Sequence, residues 1–152
     1  PTVANIIPTS RGEISIISSE TKVNPKIKMN YLSTDEDRKV AADGIKLIRK
    51  IVMETNEFKK YEPEEFSPGS HLNDKEEIVK ACSHYAQTIF HPVGTCKMGN
   101  DESAVVSDKL KVHGINKLRV IDASIMPNIT SGNTNAPTIM IAEKGADMIL
   151  SP

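Results

Sequence analysis

The sequence predicts an α+β fold, and three observations carry that prediction. Two short stretches near the N-terminus alternate apolar and polar residues, and two later stretches repeat apolar residues at helical spacing. A short apolar run near residue 120 then leads through a polar loop into a last apolar-striped helix. At 152 residues, with 38% hydrophobic and 26% charged residues, the chain has the composition of a globular protein with a modest core, in one domain or two small lobes.

The elements follow in order. Arg11-Gly12 marks a turn, after which Glu13-Ile14-Ser15-Ile16-Ile17-Ser18 sets Ile14 and Ile16 on one face of a strand. Asn24-Pro25 is a second turn, and Ile27, Met29 and Tyr31 alternate beyond it, so two consecutive strands predict sheet pairing. Ser33-x-x-Glu36 has the form of a capping box. Behind it Val40, Ala41, Gly44, Ile45, Ile48, Ile51 and Val52 predict an amphipathic helix over 34–54. Tyr61 to Gly69, with Pro63 and Pro68, reads as a loop. Asn73-x-x-Glu76 starts a second helix with Ile78, Cys82 and Tyr85 on one side; it runs to Gln87, before Pro92 forbids continuation. Leu118-Arg119-Val120-Ile121 reads as a short buried strand. The last helix begins near Pro137, a residue suited to a first turn, and continues through Ile141, Ala142, Gly145, Ala146 and Ile149. A shift in composition at Asp101–Asp108 places a lobe boundary there.

Bulk properties narrow the function classes. A formal net charge of −1 leaves no electrostatic footprint for nucleic acid or an acidic membrane. No apolar run approaches the ~20 residues of a membrane span. The first residue is proline and no basic-then-apolar leader follows it, so the beginning of the gene product is expected to lie outside this sequence. Cys82 and Cys96 make no disulfide framework and are expected to be free thiols. With His84 and His91 they lack the short paired spacings of structural zinc, so no metal site is predicted.

Two segments carry candidate chemistry. His71, His84 and His113 lie among polar neighbours and read as surface histidines. His91 differs: it precedes Pro92, which fixes a turn, and meets Gly94-Thr95, where a glycine admits close backbone approach and a threonine adds a hydroxyl. On these features His91 is either a turn residue or a general base, because imidazole titrates near neutrality. The second segment, Ser131-Gly132-Asn133-Thr134-Asn135-Ala136-Pro137-Thr138, leads a polar loop of small residues straight into an apolar helix. It is either an Asn/Thr helix cap or a seat for an electron-rich group at a helix start. Asn128-Ile129-Thr130 matches a glycosylation sequon; a glycan there would not fit a loop facing a cofactor, so the match is taken as accidental.

Taken together, these segments resemble the C-terminal half of the glucose–methanol–choline (GMC) flavin oxidoreductases. Thr88-Ile89-Phe90-His91-Pro92-Val93-Gly94-Thr95-Cys96-Lys97-Met98-Gly99 resembles the histidine-bearing motif of that family. Val105-Val106 through Val112-His113-Gly114-Ile115, and Leu118 through Ile121-Asp122-Ala123-Ser124-Ile125-Met126-Pro127, resemble the strand that re-enters the flavin domain. Asn133-Thr134-Asn135-Ala136-Pro137-Thr138 through Ile149 resembles the terminal loop and helix. Pro8-x-Ser10-Arg11-Gly12, Asn24-Pro25 and Asn30-Tyr31-Leu32 look like substrate-domain strands, in the style of the animal glucose-dehydrogenase-like branch. Ser18-Ser19-Glu20-Thr21 departs from the aspartate-proline turn more usual in the family.

The resemblance implies a substrate-domain portion over 1–103 with flanking helices, and a C-terminal segment over 104–152 that returns to an FAD-binding domain. It implies FAD as cofactor and oxidation of a small alcohol or sugar by hydride transfer to flavin N5. His91 then aligns with the active-site base and Asn133 with the second active-site position, whose amide orients the substrate oxygen without titrating. Asp122 and Ala123 align with the ribityl and pyrophosphate segment, and Asn135, Ala136 and Thr138 with the loop against the isoalloxazine ring. Gly94 and Thr95 are further backbone neighbours of that ring. The strand–GxGxxG–helix unit that would seat the adenosine end is absent from this sequence. The isolated chain is therefore expected not to hold FAD and to be inactive without the missing N-terminal region. The alternative is a truncated, non-catalytic remnant. Secretion is an expectation of the resemblance alone.

Overall fold

Short alternating stretches produce a short hairpin in the computed structural model, which describes residues 1–151. β1 (Glu13–Ser15) pairs antiparallel with β2 (Lys26–Lys28), setting Ile14 opposite Ile27 and Glu13 opposite Lys28. An apolar pair and an opposite-charge pair both favour this register. The strands stop sooner than the alternation, leaving Ile16, Met29 and Tyr31 outside them. Gly12 admits the close return of the chain, since a Cβ there would lie 2.3 Å from the Lys28 carbonyl oxygen.

The first long periodic stretch forms α1 (Asp35–Glu54), with Thr34 rather than Ser33 as its cap. Ser33 instead donates its amide to the Ser10 hydroxyl at 3.0 Å, and the Thr34 hydroxyl accepts from the Asp37 amide at 3.3 Å. Asp37, only 4% exposed, gathers the N-terminal segment onto this helix. It accepts from the Thr9 amide at 2.9 Å, the Ser10 amide at 2.8 Å and the Asn5 side chain at 3.0 Å. A one-turn helix the periodicity did not announce, α2 (Asn56–Lys59), follows. α3 (Lys75–Tyr85) is capped by Asp74, not Asn73, and ends two residues before Gln87. Ala42 of α1 and Ile78 and Ala81 of α3 are buried. From α1, Arg49 forms a two-bonded ion pair with Glu65 in the loop before α3, both bonds 2.8 Å. These elements make one compact unit, Pro1–Ile89.

The second unit begins at Phe90. It is stitched by single β-bridges, Met98 to Val106, Val106 to Val112 and Lys111 to Arg119, then a 3-10 turn (Ala123–Ile125) and α4 (Asn135–Leu150). Its core is Val106, Leu110, Ile125, Met126 and Ile141, with Val93, Met98, Ile121 and Met148 packed against it. One expectation is corrected here. The run Leu118–Ile121 is no strand: only Arg119 makes a bridge. Its neighbour turns too tightly to offer a continuous edge, with Leu110 at φ 59° and Gly114 at φ 75°. Across the compositional shift at 101–108, bonds from the Gly99 amide to Val106 at 3.0 Å and from the Val105 amide to Lys97 at 2.9 Å tie its two sides together. α4 starts at Asn135, two residues before Pro137; the proline still falls in the first turn, where a missing N–H costs no helical bond. No helix among the described residues is long and apolar enough to cross a membrane.

Candidate functional site

Both candidate segments belong to the second unit, and its backbone explains how they are held. The glycine-bearing stretch after His91 is laced to the 3-10 turn: the Cys96 amide donates to Ser124 at 3.0 Å and the Met98 amide to Ile125 at 2.8 Å. Gly94 adopts φ 90°, and a Cβ there would sit 3.3 Å from the Met126 carbonyl oxygen. A larger residue would therefore be strained as well as crowded. The turn itself is closed by Asp122, whose carboxylate accepts from the Ser124 amide at 2.8 Å and also from its hydroxyl. That leaves Ala123 half-buried and Asp122 exposed at the edge of this region.

The central contact joins the two segments. His91 Nδ1 lies 2.9 Å from the Thr134 hydroxyl and 3.5 Å from the Thr134 amide. Thr134 is the N-cap of α4 but makes no side-chain cap bond, because its hydroxyl is engaged by the imidazole. The first-turn amides of α4 thus keep the partial positive character that a cap would have answered. Beside them Asn135 and Ala136 are exposed, while Thr138 is half-buried and bonds back to the Thr134 carbonyl at 2.6 Å.

The structure therefore brings His91 onto the residue that follows Asn133 in the chain. Asn133 itself is exposed, and its side chain makes no hydrogen bond among the described residues. Thr95 is exposed as well. Thr134 is the residue that reading the sequence missed, since a threonine before a helix reads as an ordinary cap. Backbone strain marks both segments. Phe90, 81% exposed, takes φ 65° immediately before His91, and Ser131 takes φ 56° two residues before Asn133. Non-glycine residues in this region are uncommon and gather at functional sites. Close by in sequence, the Ser103 hydroxyl and the Lys97 ammonium hold the Asp101 carboxyl down to about 2. Lys97 is 3.0 Å from that carboxylate, so its charge is answered locally. The thiols of Cys82 and Cys96 are free, and burial pushes that of Cys82 up.

Known proteins share this arrangement of sequence and fold. Residues 8–142 match the family described as GMC oxidoreductase. The chain is 45% identical over 148 residues to the alcohol dehydrogenase [acceptor] of Pseudomonas putida, covering 97% of this chain and 27% of that protein. It is 49% identical over 140 residues to the oxygen-dependent choline dehydrogenase of Proteus mirabilis (strain HI4320), covering 92% of this chain and 25% of that one. Among solved structures it is similar to the pyridoxine 4-oxidase from Mesorbium loti, with a TM-score of 0.89 and 34% identity over 97% of this chain and 28% of the oxidase. The chain thus spans about a quarter of the length of these relatives.

Proposed function

The chain belongs to the GMC oxidoreductase family, and from that membership we propose that it supplies the substrate-facing part of an FAD-dependent enzyme oxidising an alcohol to a carbonyl. Enzymes of this family are FAD-dependent, and FAD, when bound, supplies the hydride acceptor at flavin N5. His91 takes the hydroxyl proton, and the carboxamide of Asn133 donates to the same oxygen and fixes its direction. The observation that carries this reading is the tie between His91 Nδ1 and Thr134 at 2.9 Å. It holds the imidazole at the start of α4 and leaves its other nitrogen for a substrate.

The residues present fit a flavin. α4 begins without a side-chain cap, and exposed Asn135 and Ala136 stand at its positive end, where negative charge on a reduced ring would be stabilised. Gly94 holds a conformation that brings backbone rather than side chain forward. Thr95 and Thr138 complete this wall in the proposal, and Asp122 and Ala123 line the path toward ribityl and pyrophosphate. In this reading residues 1–103 belong to the substrate domain and residues 104–152 return to the FAD domain.

The substrate is a small alcohol. The names of the relatives, an alcohol dehydrogenase and a choline dehydrogenase, support a choline-type or simple alcohol over a sugar. The glucose-dehydrogenase-like branch is a narrower form of the same proposal.

The test is His91→Ala in the flavin-loaded full-length enzyme. Flavin reduction by the alcohol is expected to slow by at least ~100-fold, the scale of losing an acid–base group. Reduction at the wild-type rate in stopped-flow measurements would remove His91 from the reaction.

A further inference from the structure

We infer that Thr134 is a positioning residue for proton transfer at His91: its hydroxyl ties Nδ1, fixes the ring, and leaves Nε2 as the nitrogen that meets the substrate hydroxyl. The inference rests on the alcohol-oxidation reading above and deepens it.

Three observations carry it. Thr134 is 8% exposed, so its hydroxyl has no ready exchange with water and a bond to it is held. The hydroxyl stands at the N-cap of α4, where it would ordinarily accept from the helix's own amides, yet it makes no such bond and lies 2.9 Å from Nδ1. Its backbone is anchored independently, because the Thr138 amide at 3.0 Å and the Thr138 hydroxyl at 2.6 Å both donate to the Thr134 carbonyl. The Thr134 amide, itself a donor, lies 3.5 Å from Nδ1, at the limit of hydrogen-bond distance, so the shorter contact to the hydroxyl governs that nitrogen.

A hydroxyl suits this place because it both donates and accepts. The neutral ring carries its proton on Nδ1 and donates it to Thr134 Oγ1, which leaves the lone pair on Nε2. When the alcohol reacts, its O–H bond breaks and an Nε2–H bond forms. A bound flavin would accept the hydride from the same carbon, so the alcohol would lose a proton and a hydride by separate routes. The imidazolium that results keeps its Nδ1–H bond to Oγ1. One partner therefore serves the ring before and after proton uptake, without reorganisation.

The experiment compares Thr134→Val, Thr134→Ser and His91→Ala in the flavin-loaded full-length enzyme, with choline or a primary alcohol as the reductant and 15N-histidine labelling. Thr134→Val keeps the shape and removes the hydroxyl. It is expected to lower the limiting rate of flavin reduction on the order of tenfold with little change in the substrate's Kd. The His91 nitrogen resonances should move from a single Nδ1–H tautomer toward an average of both. Thr134→Ser is expected to restore rate and resonances together. A wild-type rate and wild-type resonances in Thr134→Val would overturn the inference, as would a serine variant that stays slow with its tautomer intact. If His91→Ala is slow while Thr134→Val is not, only this inference fails. If His91→Ala is itself without effect, the alcohol-oxidation reading fails first.

Discussion

Phe90, Lys117 and Ser131 share an uncommon backbone region, with φ of 65°, 63° and 56°, but they do not share a reason for it. Phe90 and Ser131 flank the two candidate segments, where strain has a use: it turns the chain so that His91 and the loop before α4 meet. Lys117 serves no such end, being exposed and in no hydrogen bond or ion pair among the described residues. Left-handed backbone costs a residue with a Cβ about 1–2 kcal/mol, against roughly 0.5–1 kcal/mol of extra chain entropy for glycine. Lys117→Gly is therefore expected to stabilise the chain by up to about 1 kcal/mol, read as a higher denaturant midpoint at unchanged slope; a lower midpoint would show that the lysine makes a contact of value. At this scale a sequence singles out a residue where its neighbours restrict the backbone around it. His91 stands out because Pro92 and Gly94 follow it closely. Thr134 does not, because a threonine at a helix start looks the same whether its hydroxyl points to the helix or to an imidazole 43 positions away in the chain.

Among the elements, helices were legible and pairings were not, and α4 shows why. Its stripe of small and apolar residues gives the helix and its buried face, Ile141 and Gly145, since period and burial are local properties of the chain. What Gly145 is for cannot be read locally. A Cβ there would come 2.4 Å from Ile121 Cγ2 and 2.9 Å from its Cδ1, so the glycine exists for a partner 24 residues earlier. Gly145→Ala gains about 1 kcal/mol of helix propensity but forces a β-branched side chain out of place, at roughly 1–3 kcal/mol. The net expectation is destabilisation by about 1 kcal/mol, with a restoring effect from Ile121→Val, measured as a double-mutant cycle. A stabilised Gly145→Ala would mean that Ile121 yields freely. The same limit explains the misread run 118–121, whose residues favour a strand while its neighbour, bent at Leu110 and Gly114, offers one bridge at Arg119. Caps slid by one residue for a related reason: Ser33 and Asn73 are good cap residues, but each precedes another, Thr34 and Asp74, that does the capping.

For the molecule as a whole, the two compact units differ in how they depend on ionised carboxylates. The N-terminal unit uses two carboxylates with little exposure as fasteners. Burial alone would push the Asp37 pKa up, but bonds from Ser10 and Thr9 outweigh it and hold that pKa below the ordinary 3.8. Glu65 is held below its ordinary 4.5 chiefly by Arg49, in a pair whose side chains are 16% and 12% exposed. A carboxyl made more acidic by folding stabilises the fold while ionised. That contribution is complete above the ordinary value and is lost as pH falls through the folded one. Asp37 and Glu65 therefore release the segments they hold, residues 5–10 and 65–72, as pH drops from about 5 toward 3 and below. In the C-terminal unit the lowered carboxyl is Asp101, at about 2; it is exposed and closes only a local turn, so its protonation frees little. Hydrogen exchange followed by mass spectrometry should show protection failing first in those N-terminal segments, while the amides around Val106 and Ile125 hold. Asp37→Asn should loosen 5–10 already at neutral pH and flatten the acid response there. Equal acid sensitivity in both units, or none in 5–10, would mean that the fastening lies in packing rather than in charge.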